Sequence, residues 1–250
     1  MILPVRHDGS LPGQFLMDRD LAELEAASRG EFGPLLSLYQ WEVPTLSLGY
    51  HQETDKIDLV KLNENHVPLV RRPTGGAAVL HSEELTYSIV IPNAEDLRSG
   101  ALLLEFVGRA LTEGLRAVGV NAELDERGES LSPLPNRTSC FVRTSRWEVT
   151  AKGKKIVGSA QRRLGGALLQ HGSILVGEDH LRIVEFLTVS REEDRALLRQ
   201  RLAEKATCVE NEIGAGEHMP KLRTAFEQSF QRVYSVFCVQ LHDLRKPVAQ

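Results

Sequence analysis

The spacing of apolar residues changes several times along the first part of the chain. Residues 13–28 place Met17, Leu21 and Leu24 four and three positions apart, which predicts a helix. Short apolar runs follow, separated by prolines and glycines, and this pattern predicts strands joined by turns. The predicted strands cover residues 35–41, 45–50, 67–72, 77–80 and 85–91, and a short helix is predicted over 55–65.

A second helix and a long polar segment come next. Residues 101–118 predict an amphipathic helix because leucine and valine recur every three or four positions, and Gly119 ends it. Residues 125–139 contain two prolines and many polar side chains. A polar segment of about 15 residues inside a compact domain is typical of a functional or mobile loop.

The remaining sequence is rich in strand patterns first and in helical patterns afterwards. Residues 146–176 predict strands, and Lys152-Gly153-Lys154 suits the turn of a hairpin. Helical spacing returns over residues 180–205 and 217–233, and residues 236–241 predict a last strand.

Helices and strands do not alternate regularly, so a doubly wound parallel sheet is disfavoured. The order favours an α+β fold in which mixed, largely antiparallel β-sheets are flanked by helices. A chain of 250 residues suits one large domain over 1–250. Residues 190–250 are predicted to form a helical C-terminal annex or to belong to the same core.

Composition and charge exclude several classes of protein. Hydrophobic residues make up 42% and charged residues 26%, which is a globular composition and not that of a disordered chain or a disulfide scaffold. The net charge of −4 disfavours nucleic acid and anionic membranes as partners. The sequence lacks a membrane-length apolar run and a signal peptide, and its three cysteines have unrelated spacings. We therefore expect a cytoplasmic protein without disulfides and without a metal site.

The segment from Arg71 to His81 is the first candidate for chemistry. Gly75, Gly76 and Ala77 are small enough to let a ligand reach backbone N–H groups, and Arg72 beside them could clamp a carbonyl or phosphate oxygen. The alternative is a tight turn with a solvated arginine pair, which the residue types alone favour. The segment matches neither a P-loop nor a Gly-x-Gly-x-x-Gly motif.

The segment 152–163 contains five basic side chains and no acidic one. Lys155 precedes Ile156 and Val157, so strand alternation separates its face from that of Lys154 and points one of the two lysines inward. An inward lysine could polarise a carbonyl, hold a phosphate or exchange a proton. The alternative is a solvated basic hairpin. Nucleic-acid binding is disfavoured because no aromatic residue interleaves with these charges.

Cys140 and two histidines complete the candidates. Cys140 is either a small buried hydrophobe or a nucleophile whose thiolate a nearby lysine would stabilise. Cys208 and Cys238 lie in patterns without such neighbours, so we interpret them as structural. His81 and His171 are interpreted as hydrogen-bonded structural residues or, alternatively, as parts of a site.

Several motifs occur together in an order typical of one family. Three segments resemble the lipoate–protein ligase and octanoyltransferase family: Arg-Arg-Pro-Thr-Gly-Gly-Ala-Ala-Val-Leu-His-Ser-Glu-Glu-Leu-Thr-Tyr-Ser (71–88), Gly-Lys-Lys-Ile-Val-Gly-Ser-Ala-Gln-Arg-Arg (153–163) and Leu-Leu-Gln-His-Gly-Ser-Ile-Leu (168–175). Met17-Asp18 and residues 44–52 resemble its early motifs. The resemblance covers about residues 14–235 and implies the catalytic domain that this family shares with biotin–protein ligases. The Gly-Arg-Gly-Arg pattern of the biotin branch is absent.

The resemblance implies attachment of a medium-chain acyl group to a lysine of a carrier domain. Cys140-Phe141, followed by Trp147-Glu148-Val149 and then Gly153-Lys154-Lys155, resembles the cysteine-containing loop of the Gram-positive-type octanoyltransferases. This branch implies an octanoyl-[acyl-carrier-protein]:protein N-octanoyltransferase of lipoate biosynthesis, with a thioester on Cys140, assistance from Lys155 and no cofactor. The alternatives are a lipoate–protein ligase that uses ATP and Mg²⁺, an octanoyl or lipoyl amidotransferase between carrier domains, and a non-enzymatic module that binds acidic carriers.

The resemblance also assigns a substrate pocket and partners. The expected pocket residues come from the two glycine-containing motifs and the histidines, namely Arg72, Gly75, Gly76, Ala77, His81, Gly158, Ser159, Ala160 and His171. Octanoyl-acyl carrier protein is the expected donor, and a lipoyl domain or a glycine-cleavage H-type protein the expected acceptor. Both carriers are acidic, so the basic segment 152–163 suits docking. The chain is expected to act as a monomer.

Overall fold

The computed structural model describes residues 1–126 and 147–244. Its elements, in chain order, are β1 (Val5–Leu11), α1 (Gly13–Ser28), β2 (Leu35–Trp41), β3 (Thr45–Leu48), α2 (Leu59–Glu64), β4 (Leu69–Arg71), β5 (Val79–His81), β6 (Glu84–Ile91), α3 (Ser99–Ala117), β7 (Ala122–Asp125), β8 (Glu148–Ala151), β9 (Lys154–Lys155), β10 (Val157–Leu164), β11 (Ala167–Leu175), a 3-10 helix (Asp179–Phe186), α4 (Glu192–Lys205), α5 (Val209–Ile213) and α6 (Met219–Leu244).

The described strands form one large sheet and two small ones. The large sheet has the order β1-β2-β6-β11-β10, and the small sheets have the orders β4-β3-β5 and β7-β8-β9. The pairs β1–β2 and β3–β4 are parallel, and the other ladders are antiparallel. With the helices that pack on them, these sheets confirm the predicted α+β fold with mixed, largely antiparallel sheets.

The two faces of the five-stranded sheet bury different kinds of side chain, apolar on one face and partly polar on the other. Strand alternation sends Leu85, Tyr87 and Ile89 of β6 to one face, where they enter an apolar core with α3 and α6. It sends Glu84 and Thr86 to the opposite face, beneath α1 and the sheet β4-β3-β5. That second face is buried yet rich in polar groups, which is the setting of the candidate site.

The C-terminal strand predicted over 236–241 is wrong, because these residues belong to α6. Valine-rich sequence mimics a strand there, but Phe237 and Leu241 are buried four positions apart while Val236 and Val239 are exposed. That burial follows the helical period and places α6 against α3. The domain limits and the annex stay a prediction.

Two other differences concern β1 and the segment 180–205. β1 was not predicted because Arg6, His7 and Asp8 interrupt its apolar pattern. The segment 180–205 divides into the 3-10 helix and α4. Within the described part of the chain, no helix is both long and apolar enough to span a membrane.

Candidate active site

A pocket lies between the polar face of the large sheet and the cover made by α1 and β4-β3-β5. Its volume is about 410 Å³ when the solvent-filled space at its open mouth is included. Most of its lining comes from strands, so its shape is set by the sheets. The lining residues are Met17, Tyr39, Trp41, Arg72, Val79, His81, Thr86, Gly158, Ser159, Ala160, His171, Gly172 and Ser173.

Strand register orders these residues across the sheet. Tyr39 of β2 pairs with Thr86, Thr86 pairs with Ser173, and Ser173 pairs with Gly158 of β10. Three strand spacings of about 4.8 Å separate the two ends, so the row is about 14 Å long. Gly158, at one end of this row, is partly exposed, whereas Tyr39, at the other end, is fully buried. The mouth therefore lies at β10 and the inner wall at β2.

The carboxylate of Glu84 holds the inner wall together. Its Oε1 accepts hydrogen bonds from His81 Nδ1 (2.7 Å), Thr86 Oγ1 (2.7 Å) and Ser173 Oγ (2.9 Å). Thr86 Oγ1 in turn accepts from Trp41 Nε1 at 2.9 Å, and the Trp41 ring stacks on His81 with 3.8 Å between centroids. Burial lowers the pKa of His81, although Glu84 opposes this shift. The wall is thus built around a neutral imidazole.

Both histidines in the pocket use both of their ring nitrogens. His81 Nε2 lies 2.7 Å from Ser47 Oγ. His171 Nδ1 donates to Asp20 Oδ2 at 2.8 Å, and its Nε2 lies 2.6 Å from Thr74 Oγ1. Since no ring nitrogen is left over for a substrate, the two histidines line the pocket and connect its walls, as expected of hydrogen-bonded structural histidines.

Arg72 is buried, with 4% of its surface exposed, so the alternative of a solvated arginine pair is wrong for this residue. Its guanidinium donates to the carbonyls of Gly75 (2.8 Å from Nη2), Ala77 (2.7 Å) and Ser47 (3.2 Å). These bonds shape the loop over residues 72–77. Arg72 lines the pocket, and its guanidinium donates both to the backbone of this loop and to Ser47 of β3.

The two consecutive glycines of the same loop lie outside the pocket lining. A Cβ on Gly49 would stand 2.0 Å from the carbonyl oxygen of Gly76, so two loops touch backbone to backbone there. Gly76 has a φ of 100°, which favours glycine. The structure thus brings together six of the nine predicted pocket residues, and Gly75, Gly76 and Ala77 form the adjoining loop.

Lys154 and Lys155 point to different sides of β9, which confirms the prediction from alternation. The side chain of Lys155 is only 8% exposed, and its Nζ lies 2.7 Å from Oε1 of the equally buried Glu148. Lys154 is half-buried and donates to the carbonyl of Ala203 at 2.8 Å. A solvated hairpin is therefore wrong for Lys155. It precedes the mouth residue Gly158 by three positions and is not itself a lining residue.

The other basic side chains of segment 152–163 also have partners within the chain. Lys152 pairs with Glu212 at 2.9 Å but stays 67% exposed. Arg162 donates to the carbonyl of Pro73 at 3.0 Å and stacks over the Tyr50 ring. Arg163 donates to Ser99 Oγ at 2.8 Å and to carbonyls of the loop before α3. Most of this positive charge therefore stabilises the fold.

The structure describes two of the three cysteines, and these two differ in burial. Cys140 lies outside the described residues, so its role stays a prediction. Cys208 is buried, and burial raises the pKa of its thiol, which keeps it protonated and inert. Cys238 is half-buried on α6.

No role was predicted for Asp20, Glu84 and Glu148, the carboxylates that contact the predicted histidines and lysine, although Glu84 and Glu148 lie within the quoted motifs. Glu84 follows His81 by three positions, a spacing that could have indicated a pair. Asp20 is 151 positions away from His171, and no local pattern connects them.

Comparison with known proteins identifies the class of enzyme to which this fold and pocket belong. The chain belongs to the lipoyl protein ligase A/B catalytic domain family, whose model matches residues 13–231. Octanoyltransferase LipM of Kyrpidia tusciae is 37% identical over 90% of this chain and 84% of that protein. The LipM proteins of Clostridioides difficile (38%; 84% and 79%) and Staphylococcus aureus (34%; 90% and 84%) are similarly related.

Solved structures agree on the fold. A lipoate-protein ligase A bound with ATP superposes with a TM-score of 0.68 at 26% identity, over 94% of this chain and 86% of the other. A bi-partite lipoate protein ligase from Thermoplasma acidophilum gives a TM-score of 0.72 at 23% identity, over 100% of both chains. The family expected from the motifs is therefore confirmed.

Proposed function

We propose that this protein is an octanoyltransferase of lipoate biosynthesis. In this proposal it moves octanoyl from acyl carrier protein to Cys140 and then to a lysine of a lipoyl domain or an H-type protein. The observation that carries the proposal is the 34–38% identity to octanoyltransferases over most of the chain. A cytoplasmic location belongs to the proposal and is supported by the cysteine pattern.

The row of paired residues from β10 to β2 is longer than an extended octanoyl tail. Each bond of an extended carbon chain adds about 1.25 Å, so the seven C–C bonds of octanoyl span about 9 Å. A carbonyl placed at β10 would leave the last carbon near β6, in front of Tyr39 and Trp41. Burying the tail would contribute up to about 5 kcal/mol, at about 0.8 kcal/mol per methylene. The apolar side chains that would contact it include Met17, Trp41 and Val79.

The proposed mechanism has two acyl transfers. The thiolate of Cys140 attacks the thioester carbonyl of the donor, and the donor thiolate leaves after the tetrahedral intermediate collapses. The acceptor amine then attacks the octanoyl thioester on Cys140, the C–S bond breaks, and the proton lost by nitrogen restores the thiol. β10 is an edge strand among the described strands, so alternate backbone N–H groups around Gly158 and Ser159 point away from β11 and are suited to hold an oxyanion.

In the proposed scheme Lys155 assists both steps through its ammonium, because a positive charge favours the thiolate form of a cysteine and orients a carbonyl. No cofactor is needed in this scheme, because the donor already carries an activated acyl group. A ligase reaction differs here, since a free acid must first be activated.

Incubation with octanoyl-acyl carrier protein tests the proposal. We expect an octanoyl adduct on Cys140 by peptide mass spectrometry and, after addition of an apo lipoyl domain, an octanoylated lysine on that domain. Cys140→Ala should abolish both products. Cys208→Ala and Cys238→Ala are the matched controls and should retain adduct formation and transfer. Normal transfer by the Cys140→Ala variant would contradict the thioester mechanism.

A ligase activity is the second candidate, because the chain is 26% identical to a lipoate-protein ligase whose structure contains ATP. Free lipoate or octanoate with ATP and Mg²⁺ forms the parallel arm of the assay. Modification of the lipoyl domain in this arm, unaffected by Cys140→Ala, would establish the ligase instead. An octanoylated lipoyl domain as the donor tests the amidotransferase alternative.

A further inference from the structure

The backbone around Lys155 is held on three sides. Thr207 N donates to the carbonyl of Lys155 at 2.9 Å, Ile156 N donates to that of Val149 at 3.2 Å, and Leu175 N donates to that of Ile156 at 3.0 Å. These bonds connect β9 to β8, to β11 and to the segment after α4. The position of the Lys155 Cα is therefore fixed, while its long side chain still has four rotatable bonds.

Glu148 holds the free end of that side chain. β8 and β9 pair Thr150 with Lys155, so Glu148 lies two residues from the pairing position and on the same face. Its Oε1 is 2.7 Å from Lys155 Nζ, and the two side chains are 7% and 8% exposed. A contact this short between buried ions is a charge-assisted hydrogen bond, and it restricts the ammonium to one region of space.

The nearby pair of Lys152 and Glu212 shows what is particular about this contact. It joins the same kinds of side chain at 2.9 Å and starts from the same hairpin, but Lys152 is 67% exposed. Glu212 itself is only 6% exposed, but water and salt reach the ammonium of Lys152 and weaken this pair more than a pair that is buried on both sides.

We propose that Glu148 is a positioning residue, whose carboxylate holds the Lys155 ammonium in the orientation from which it acts on the acyl group. The inference rests on the proposed function for the identity of the acyl group. Glu148 does not contact the substrate in this scheme and acts only through Lys155.

Two variants test the proposal. Glu148→Gln removes the charge at nearly constant volume, and Glu148→Asp keeps the charge but withdraws it by about one C–C bond, about 1.5 Å. We expect kcat for octanoyl transfer to fall by about 10–100-fold in Glu148→Gln and by about 10-fold in Glu148→Asp, because misplacement by about 1 Å has effects of this size. KM for both carriers should stay within about twofold. Glu212→Gln is the matched control and should keep the wild-type kcat.

A second measurement requires no acyl substrate. Lysine-directed acylation of the native protein, followed by peptide mass spectrometry, should label Lys155 faster in Glu148→Gln than in wild type, while Glu212→Gln leaves its labelling unchanged. Thermal unfolding of each variant gives the folded fraction. If Glu148→Gln does not fold, Glu148→Asp decides the question, since it preserves the buried charge balance.

Wild-type kcat and wild-type Lys155 labelling in a folded variant would overturn the proposal, and so would a loss of kcat that merely follows the folded fraction. Failure of the proposed function looks different. The wild-type protein would then not transfer octanoyl, while the labelling experiment would still report how Glu148 holds Lys155.

Discussion

Trp41 forms the inner wall of the pocket, so shortening this side chain should change which acyl chain fits. The indole is fixed by its hydrogen bond to Thr86 at 2.9 Å and by its stack on His81 at 3.8 Å. An octanoyl tail of about 9 Å would end in front of this ring if its carbonyl lies at β10. Trp41→Leu removes the aromatic ring and extends the available space beyond β6.

The size of the expected effect follows from the burial of methylenes. Two further methylenes add about 2.5 Å and contribute about 1.6 kcal/mol when buried, which corresponds to about 15-fold in kcat/KM. We therefore expect Trp41→Leu to raise the ratio of decanoyl to octanoyl transfer by about 10-fold. The variant should also lose about 2–4 kcal/mol of unfolding free energy, because a large buried ring and its hydrogen bond are removed.

Competition between octanoyl- and decanoyl-acyl carrier protein in one reaction measures the ratio directly by mass spectrometry of the acceptor domain. Phe15→Leu serves as the control, because Phe15 lies on α1 with 52% of its surface exposed and is not a lining residue. An unchanged product ratio in folded Trp41→Leu protein would refute the placement of the tail against Trp41.

Three predictions concern stability. Burial lowers the pKa of His81, so the stability linked to its neutral form is complete above the unfolded pKa of about 6.5 and is lost as pH falls towards the lower folded pKa. Urea unfolding should show this loss of unfolding free energy, at up to about 1.4 kcal/mol per pH unit. His81→Gln should lack this part of the pH dependence. Gly49→Ala should lower the unfolding free energy by about 1–3 kcal/mol because its Cβ would stand 2.0 Å from the Gly76 oxygen, whereas Gly33→Ala meets nothing within 4 Å and should be nearly neutral in the same assay. Glu84→Gln replaces an acceptor of three hydrogen bonds and should lose about 2–4 kcal/mol in urea unfolding; a loss below about 0.5 kcal/mol would contradict its role as the centre of the inner wall.

Local sequence patterns predicted most of the helices and strands, and the exceptions depend on packing or pairing with distant elements. Helical spacing in residues 13–28 agrees with α1 over Gly13–Ser28. In α6 the valines that suggested a strand lie on the exposed side of the helix. Only the packing of α6 against α3 shows which side of the helix is buried. β1 was missed because it contributes few apolar side chains and is held by parallel pairing with β2.

The candidate site shows the same division between local and long-range information. Motifs identified Lys155, His81 and His171 by residue type and order, and alternation predicted that one of Lys154 and Lys155 faces inward. The carboxylates that hold these side chains could not be predicted, because the contact between His171 and Asp20 joins residues 151 positions apart. Strand register aligned the pocket from β2 to β10, and register is a property of the whole sheet.

The sequence by itself determined the family, the α+β class and the residues able to carry acyl-transfer chemistry. Only the tertiary structure decided how each charge is used. Arg72 shapes a loop through backbone carbonyls, and Lys155 is buried against Glu148. The physical reason is that a buried charge is stable only beside partners that compensate for its lost hydration, and folding brings those partners from distant parts of the chain.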